Sequence, residues 1–512
     1  MKGFTPHIGK NVIETLTLGM YENAHFIYRE YVQNSADQID IAVEKGILNT
    51  KNDGQISISI DKENKSIGIE DNATGIKSSE VLQFLGDVAN SQKDRNKRKG
   101  FRGIGRLGGL GYCETLIFET SYQGESTKSV ITLNAKQLKK IIEDRSLNMD
   151  AATVISTITR LEKEDEIKND HYFRVKLINV TNNELLDVIS VKNYLSMVAP
   201  VPFNEGFTFS KKIHEYFKKN NIRIEEYDIS LSLNNEKLYK AYKINIHSKT
   251  GFKPVKVIDI DFFKFLDNEN KLIALGWYGI TDLLNYIIHQ DHIERGIRIR
   301  KDNIQIGSND TLNSFFKEDR FNHHFIGEIY VIGDAFIPNA RRDFFNDNKT
   351  VKLFQSQLEF EFINLHKLSH ISSSIHTNIS KVEKYYHEQE IFEGKIFEDE
   401  YEEKQKIIKI DKLKGEAKKG NIEIKKLIKA PLPNKKINNA VMTIYKHKIG
   451  DINLSIDDSV IFDTQEYEEP TLSKLDNSEK KVVFQIFQII EENVSETKIV
   501  VNLKKIIAEY FN

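Results

Sequence analysis

The chain has 512 residues, with 73 Lys and Arg against 75 Asp and Glu for a net charge of −2, and 39% of it is apolar. That length exceeds one ordinary core and implies about two to four domains. The balanced charge excludes a whole-chain polyanion binder or membrane-surface binder, while leaving local patches open to either. The single cysteine, Cys113, excludes an internal disulfide framework and suits a reducing compartment; beside an apolar run it reads as a small buried thiol.

The opening MKGFTPHIGK lacks the apolar core of a signal peptide, and the longest apolar runs, such as VVFQIFQII, are too short to span a membrane. A cytoplasmic protein without membrane contact is expected. Along the chain, 26–45 carries apolar residues at helical spacing and is predicted as one amphipathic helix. Residues 55–71 alternate apolar and polar about a KENK turn, the pattern of a β-hairpin. Residues 116–123, 128–134, 152–161 and 172–180 read as strands, and 188–198 as a helix. Two prolines in APVPF then set a boundary near residue 200.

From there to about 365 the pattern stays mixed, with strands expected at 222–234, 296–307 and 327–336 and a helix at 281–290. Beyond 365 the chain turns helical and charged: 388–405 is acidic and 406–429 basic, which reads as a solvated helix, a linker or a contact for a partner or nucleic acid. The last runs, 480–494 and 499–511, are amphipathic helices with enough apolar surface to dock or dimerise. There is no internal repeat.

Three stretches carry chemistry. Between 100 and 111 stand six glycines, including Gly103-x-Gly105-x-x-Gly108. A dinucleotide fingerprint of that form follows a buried strand, whereas this one follows the charged run DRNKRKG, and no P-loop sequence exists in the chain. What remains is that successive bare amides form a nest for phosphate oxygens. In the first helix Glu30, Asn34 and Asp37 share one face. They make either a solvated stripe or a water-orienting base beside a magnesium ligand. At the hairpin's end Asp71-Asn72-Ala73-Thr74-Gly75 is either a plain turn or a carboxylate fixed to accept from an exocyclic amine such as that of adenine.

Taken in order, a helix with Glu and Asn, a strand ending Asp-x-x-x-Gly and a glycine-rich lid leading into a strand resemble the GHKL superfamily: gyrase, heat-shock protein 90-type chaperones, histidine kinases and MutL. The chain from Phe4 through Phe26-Ile-Tyr-Arg29-Glu30 to Asp37 resembles the amino-terminal pattern of the heat-shock protein 90 branch. Phe336-Ile-Pro338-Asn339-Ala-Arg341-Arg342-Asp343 resembles that branch's middle-domain loop, whose arginine reaches the γ-phosphate. The resemblance implies an α/β (α+β) chain. A Bergerat-type nucleotide-binding α/β sandwich would occupy 1–200, a mixed α/β transducer 201–365 and a charged helical region, a candidate for dimerisation, 366–512.

By the same resemblance Glu30 orients and deprotonates the attacking water, and Asn34 holds Mg²⁺. Asp71 binds the adenine amino group, Gly75 lets the base lie against the backbone, and Gly100, Gly103 and Gly105 wrap the phosphates. Asp37 also matches a nucleotide-site position, and Arg29 suits a structural ion pair. Arg342 takes the place of the γ-phosphate arginine, with Arg341 as its substitute. Ala73 stands where the family commonly has glycine, and the family's Gly-Thr before the last strand has no clear counterpart, although His171-Tyr172 lies nearby. Asn90, Ser91 and Lys93 are candidates for a further phosphate contact. The implied activity is hydrolysis of ATP to ADP and phosphate in a homodimer that acts on a protein client. The alternative is a DNA clamp or remodeller of the MORC, MutL or topoisomerase kind, with 404–436 touching DNA, in stress response or antiviral defence. A histidine kinase would carry its phospho-acceptor helix ahead of the nucleotide domain, which here is read as starting at the amino terminus.

Overall fold

The computed structural model describes residues 8–17, 23–86, 105–231, 236–250, 253–395, 400–429, 435–450 and 497–511, with scattered positions between 479 and 494. The chain divides into two compact units, Met1–Ser380 with Ile422–Asp451 and Lys381–Asn421 with Ile452–Asn512. The expected α/β class holds, and the larger unit contains two sheets.

The first sheet and its helices run α1 (Asn11–Thr17), α2 (Phe26–Glu44), β1 (Gln55–Asp61), β2 (Ser66–Asp71), α3 (Val81–Gly86), β3 (Thr115–Ser121), β4 (Thr127–Asn134), α4 (Ala135–Glu143), α5 (Ala151–Ile158), β5 (Thr159–Asp165), β6 (Tyr172–Ile178), α6 (Val188–Val198), α7 (Ser210–Lys219), β7 (Asp228–Leu231) and β8 (Glu236–Lys237). Its eight strands lie in the order β5-β4-β3-β6-β2-β1-β7-β8, and only β1 and β7 are parallel neighbours. Two of these strands come from beyond residue 200. The hairpin forms as expected: Ile56, Ile58 and Ile60 of β1 and Ile67 and Ile69 of β2 enter the core while the intervening side chains face out. That period of two carries Asp71 onto the core face too, and leaves Glu70 outside, paired with Arg174.

The stretch 152–161, expected as a strand, is split between α5 and β5. Asp150 caps the helix by accepting from Thr153 N at 2.8 Å, and this local bond overrides the β-branched run behind it. Residues 281–290, expected as a helix, form a turn followed by an extended stretch. There Ile288 bridges to Ser248 and His289 N donates to His247 O at 2.9 Å, so the backbone groups a helix would have used are taken by a neighbouring segment. Of 222–234, only 228–231 is strand before the described residues break off.

The second sheet comprises β9 (Asn245–His247), β10 (Pro254–Leu266), β11 (Leu272–Thr281), β12 (Gly296–Lys301), β13 (Ile304–Ile306) and β14 (Ile326–Val331). Its order is β13-β12-β14-β11-β10-β9, with β12 and β14 parallel. It buries an ionic cluster. Fully buried Arg300 donates to Glu328, to Asn303 O at 2.7 Å and to Met197 O and Ala199 O, so β12 grips the carboxyl end of α6. Glu328 also accepts from Lys240 Nζ at 2.7 Å and Tyr330 at 2.5 Å. Burial alone would raise the Glu328 carboxyl, but Arg300 and Lys240 pull it down to about 2. Its contribution is therefore present above the ordinary carboxylate range and lost as pH falls through about 2. We expect Glu328→Gln to destabilise the chain by about 3 kcal/mol at neutral pH, because it leaves the buried Arg300 guanidinium uncompensated. The variant should also unfold in acid with a flatter pH dependence, and urea titrations at stepped pH check both.

Helices described beyond the second sheet are α8 (Lys349–Glu393), α9 (Glu400–Lys429), α10 (Lys435–Ile449) and α11 (Thr497–Phe511). The basic run 406–429 is thus helix rather than linker. In the smaller unit Val382 and Tyr385 of α8 pack against Ile410 and Ala417 of α9, which stand one heptad apart. There too Ala508 of α11 packs with Val483 and Phe487, while Val482, Ile489, Ile499, Ile506 and Tyr510 remain exposed.

Candidate nucleotide site

The site is built on the amino-terminal half of α2. Residues 26–33 of this helix are buried almost all round, so Glu30 is 4% exposed and Asp37 is fully enclosed, which removes the solvated-stripe reading for both. Asn34 is half-buried one turn beyond Glu30. Two anchors fix the helix. Tyr28 donates to Leu185 O at 2.6 Å. The His25 ring sits between Asn23 Oδ1 at 2.8 Å and Ser190 Oγ of α6 at 3.1 Å. Burial holds His25 below the ordinary imidazole range, so the neutral ring donates from Nδ1 and accepts at Nε2.

The glycine-rich stretch lies directly on this helix. Over Gly105–Gly111 it forms a short 3₁₀ turn. Tyr31 clamps that turn, donating to Arg106 O at 3.0 Å and accepting from Gly109 N at 3.1 Å. A Cβ on Gly105 would run into Oε2 of Glu30, and one on Gly109 would come within 2.6 Å of the Tyr31 hydroxyl. Bare backbone is needed here because it approaches α2 without space for a side chain. Gly100, Gly103, Asn90, Ser91 and Lys93 lie outside the described residues.

Glu30 receives two arginines. Arg29 NH2 stands 3.5 Å from its Oε1, and Arg342 Nε stands 3.1 Å from the same oxygen. Arg342 also donates to the amide oxygen of Gln33. It arrives from the loop after β14, a tight return in which Asn339 N donates to Phe344 O at 3.0 Å and Asn346 N to Ile337 O at 2.8 Å. Arg342 is buried and sits at φ +57°, a left-handed conformation rare for a side chain of this size. Its neighbour Arg341 is exposed. Tyr194 of α6 completes the surroundings; burial pushes its hydroxyl up, with Arg29, Glu30 and Arg342 all acting on it.

At the strand end Asp71 is 1% exposed, and its Oδ1 accepts from Ala73 N at 3.2 Å. Asn72 fixes the turn through both amide atoms, accepting from Gln55 N at 2.7 Å and donating to Asp53 O at 2.9 Å. Gly75 has φ +62°, and a Cβ there would fall inside the Ser121 carbonyl. Thr120 ties this backbone to β6 by accepting from Ile76 N and donating to Tyr172 O, both at 2.9 Å. His171 donates from Nδ1 to Ala73 O at 2.6 Å.

Glu30 is therefore met by both Gly105 and Arg342, with Asn34 one helical turn along, and Asp71 and Gly75 share a second corner at the end of β2. Sequence reasoning passed over four neighbours: Tyr31, Gln33, Thr120 and Tyr194. Tyr31 and Gln33 flank the Glu30 motif, which is a usable signal. Nothing local marks Thr120 or Tyr194. Among the described residues no group of three or more His, Cys, Asp or Glu is arranged to hold a metal. Among the described residues no helix is long and apolar enough to cross a membrane.

Residues 24–166 match the family model described as Histidine kinase-, DNA gyrase B-, and HSP90-like ATPase. The chain is 22% identical over 483 residues to Chaperone protein HtpG of Buchnera aphidicola subsp. Cinara cedri, covering 87% of this chain and 70% of that protein. It is 24% identical over 194 residues to Chaperone protein HtpG of Enterobacter sp. (strain 638), covering 35% and 30%. A shorter match, 33% over 85 residues, reaches Chaperone protein HtpG of Colwellia psychrerythraea and covers 16% of this chain and 13% of that one. Residues 24–166 carry a domain of the histidine kinase-, DNA gyrase B- and HSP90-like ATPase family, in a chain whose similarity to HtpG chaperones continues beyond it.

Proposed function

We propose that this protein binds and hydrolyses ATP in the manner of an HSP90-like machine and uses the cycle to act on a protein client. The observation that carries this reading is Arg342, a cation brought from the loop after the second sheet onto the buried carboxylate of the first. In the proposed cycle Asp71 accepts from the adenine amino group, and bare Gly75 lets the ring lie flat against backbone. Gly100, Gly103 and Gly105 offer amides to the phosphates. Glu30 takes the proton of the attacking water. Arg342 leaves Glu30 to meet the charge spreading over the γ-phosphate in a loose transition state, which ties hydrolysis to movement of its own loop. Asn34 would hold Mg²⁺, which neutralises phosphate charge when bound. Asp37, enclosed beneath the same helix face, would support the site from within.

A homodimer is part of this proposal, and the exposed apolar residues on the terminal helices support it. The DNA-clamp alternative has one observation in its favour: Lys409, Lys412, Lys418, Lys419, Lys425, Lys426 and Lys429 of α9 are all exposed. Phosphate release measured with an unfolded client protein and with duplex DNA separates the two, since only one should stimulate turnover. Calorimetry with ATP and Mg²⁺ tests the shared premise. Asp71→Asn removes a charge-assisted acceptor and should weaken binding by about 1.5–3 kcal/mol, roughly ten- to over a hundredfold. No uptake of adenine nucleotide by the unaltered chain overturns the function proposed here.

A further inference from the structure

The middle of α8 carries a feature that the nucleotide site does not use. His366 and His370 stand four residues apart on this helix, which places both rings on one face. Their Nε2 atoms approach to 3.2 Å, and the ring planes are inclined by 67°. His366 is half-buried, and the ring of Phe321 packs edge-on against it at 4.2 Å, fixing its orientation; His370 is exposed. In the protein alone the two rings share a proton, one Nε2 donating to the other. A metal ion would sit where that proton lies.

We propose that His366 and His370 form a bidentate site for a late first-row divalent cation, with water completing its coordination. With metal–nitrogen bonds of about 2.0–2.1 Å, a nitrogen separation of 3.2 Å corresponds to a ligand–metal–ligand angle of about 100°. This lies between the octahedral and tetrahedral values, so neither ring has to move far. Imidazole ligands favour copper, nickel and zinc over magnesium, and among these Cu²⁺ binds tightest. Burial holds the His366 ring below the ordinary imidazole range, with His370, Lys317 and Arg320 acting in the same direction and Glu318 against them. Arg320 is itself paired with Glu318 at 2.8 Å, which tempers its repulsion of a dication.

A second close pair, His247 and His292, does not qualify. There His292 Nε2 already accepts from the His247 backbone N–H at 2.9 Å, and Nδ1 faces Glu294. The two pairs therefore supply test and control. Tag-free full-length protein is titrated with CuCl₂ by calorimetry and by electron paramagnetic resonance. One Cu²⁺ equivalent with a two-nitrogen signature is expected, and bound Cu²⁺ should raise Tm by stapling one turn of α8. His366→Ala and His370→Ala should each weaken that equivalent at least tenfold, while His292→Ala leaves it intact. His370 is exposed and His366 half-buried, and circular dichroism verifies that both variants fold. An equivalent that survives both substitutions, or disappears only in His292→Ala, overturns the assignment.

Discussion

Glu30→Gln should lower steady-state ATP hydrolysis about 10²–10⁴-fold while leaving ATP affinity nearly unchanged, the range lost when a positioned general base is removed. Gln is the informative substitution because Gly105 rests so close to Oε2 that the side chain's shape must be kept. Ala would open a gap beneath the glycine turn and mix a packing defect with a chemical one. The amide retains the volume but cannot accept a proton from water at neutral pH. It also leaves Arg29 and Arg342 facing a neutral group, so thermal stability should be recorded alongside phosphate release. A variant that binds ATP and turns over at the unaltered rate would remove Glu30 from the chemistry and leave it as the anchor of an ion pair.

Much of this corner was legible from residue order. The alternation in 55–71 that announced the hairpin also dictates that Asp71 points inward with Ile67 and Ile69. The helical spacing across 26–45 likewise set Glu30, Asn34 and Asp37 on one face, although not that the face is enclosed. What could not be read depends on partners distant in the chain. No periodicity reveals that Gln33 meets Arg342 across more than 300 positions, or that Thr120 bridges Ile76 to Tyr172. The errors in secondary structure have the same origin. Residues 281–290 have helical-looking spacing, yet their backbone is captured by the segment around His247. Residues 152–161 have strand-like composition, yet one Asp150 cap turns their first half into helix. The long strand β11 went unread because both of its faces are buried and largely apolar, which erases the alternation that marks a half-exposed strand, whereas β10, where buried Val255 and Val257 alternate with exposed Pro254 and Lys256, carried a readable signal that was passed over.

Arg342→Ala should slow hydrolysis about 10²–10³-fold at saturating ATP, the range for losing one charge-stabilising donor, with little change in affinity. Two effects oppose each other here. Removing the guanidinium frees Glu30 from an ion pair, which favours the base, and deletes the cation that would meet the γ-phosphate, which disfavours the transition state. Arg29 stays within 3.5 Å of Glu30 in either case, so the gain from release is small and the loss dominates. Arg342→Lys should not rescue turnover, because one ammonium cannot span Glu30 and Gln33 as a planar fork does. The backbone supplies an internal control. At φ +57° a non-glycine residue is strained by about 1–3 kcal/mol, so Arg342→Gly should fold more stably than Arg342→Ala. If Arg342 acts on the phosphate, the two variants hydrolyse equally slowly despite that difference in stability. If instead its service is to hold the loop in shape, activity should track stability, and the glycine variant should recover turnover that the alanine variant has lost.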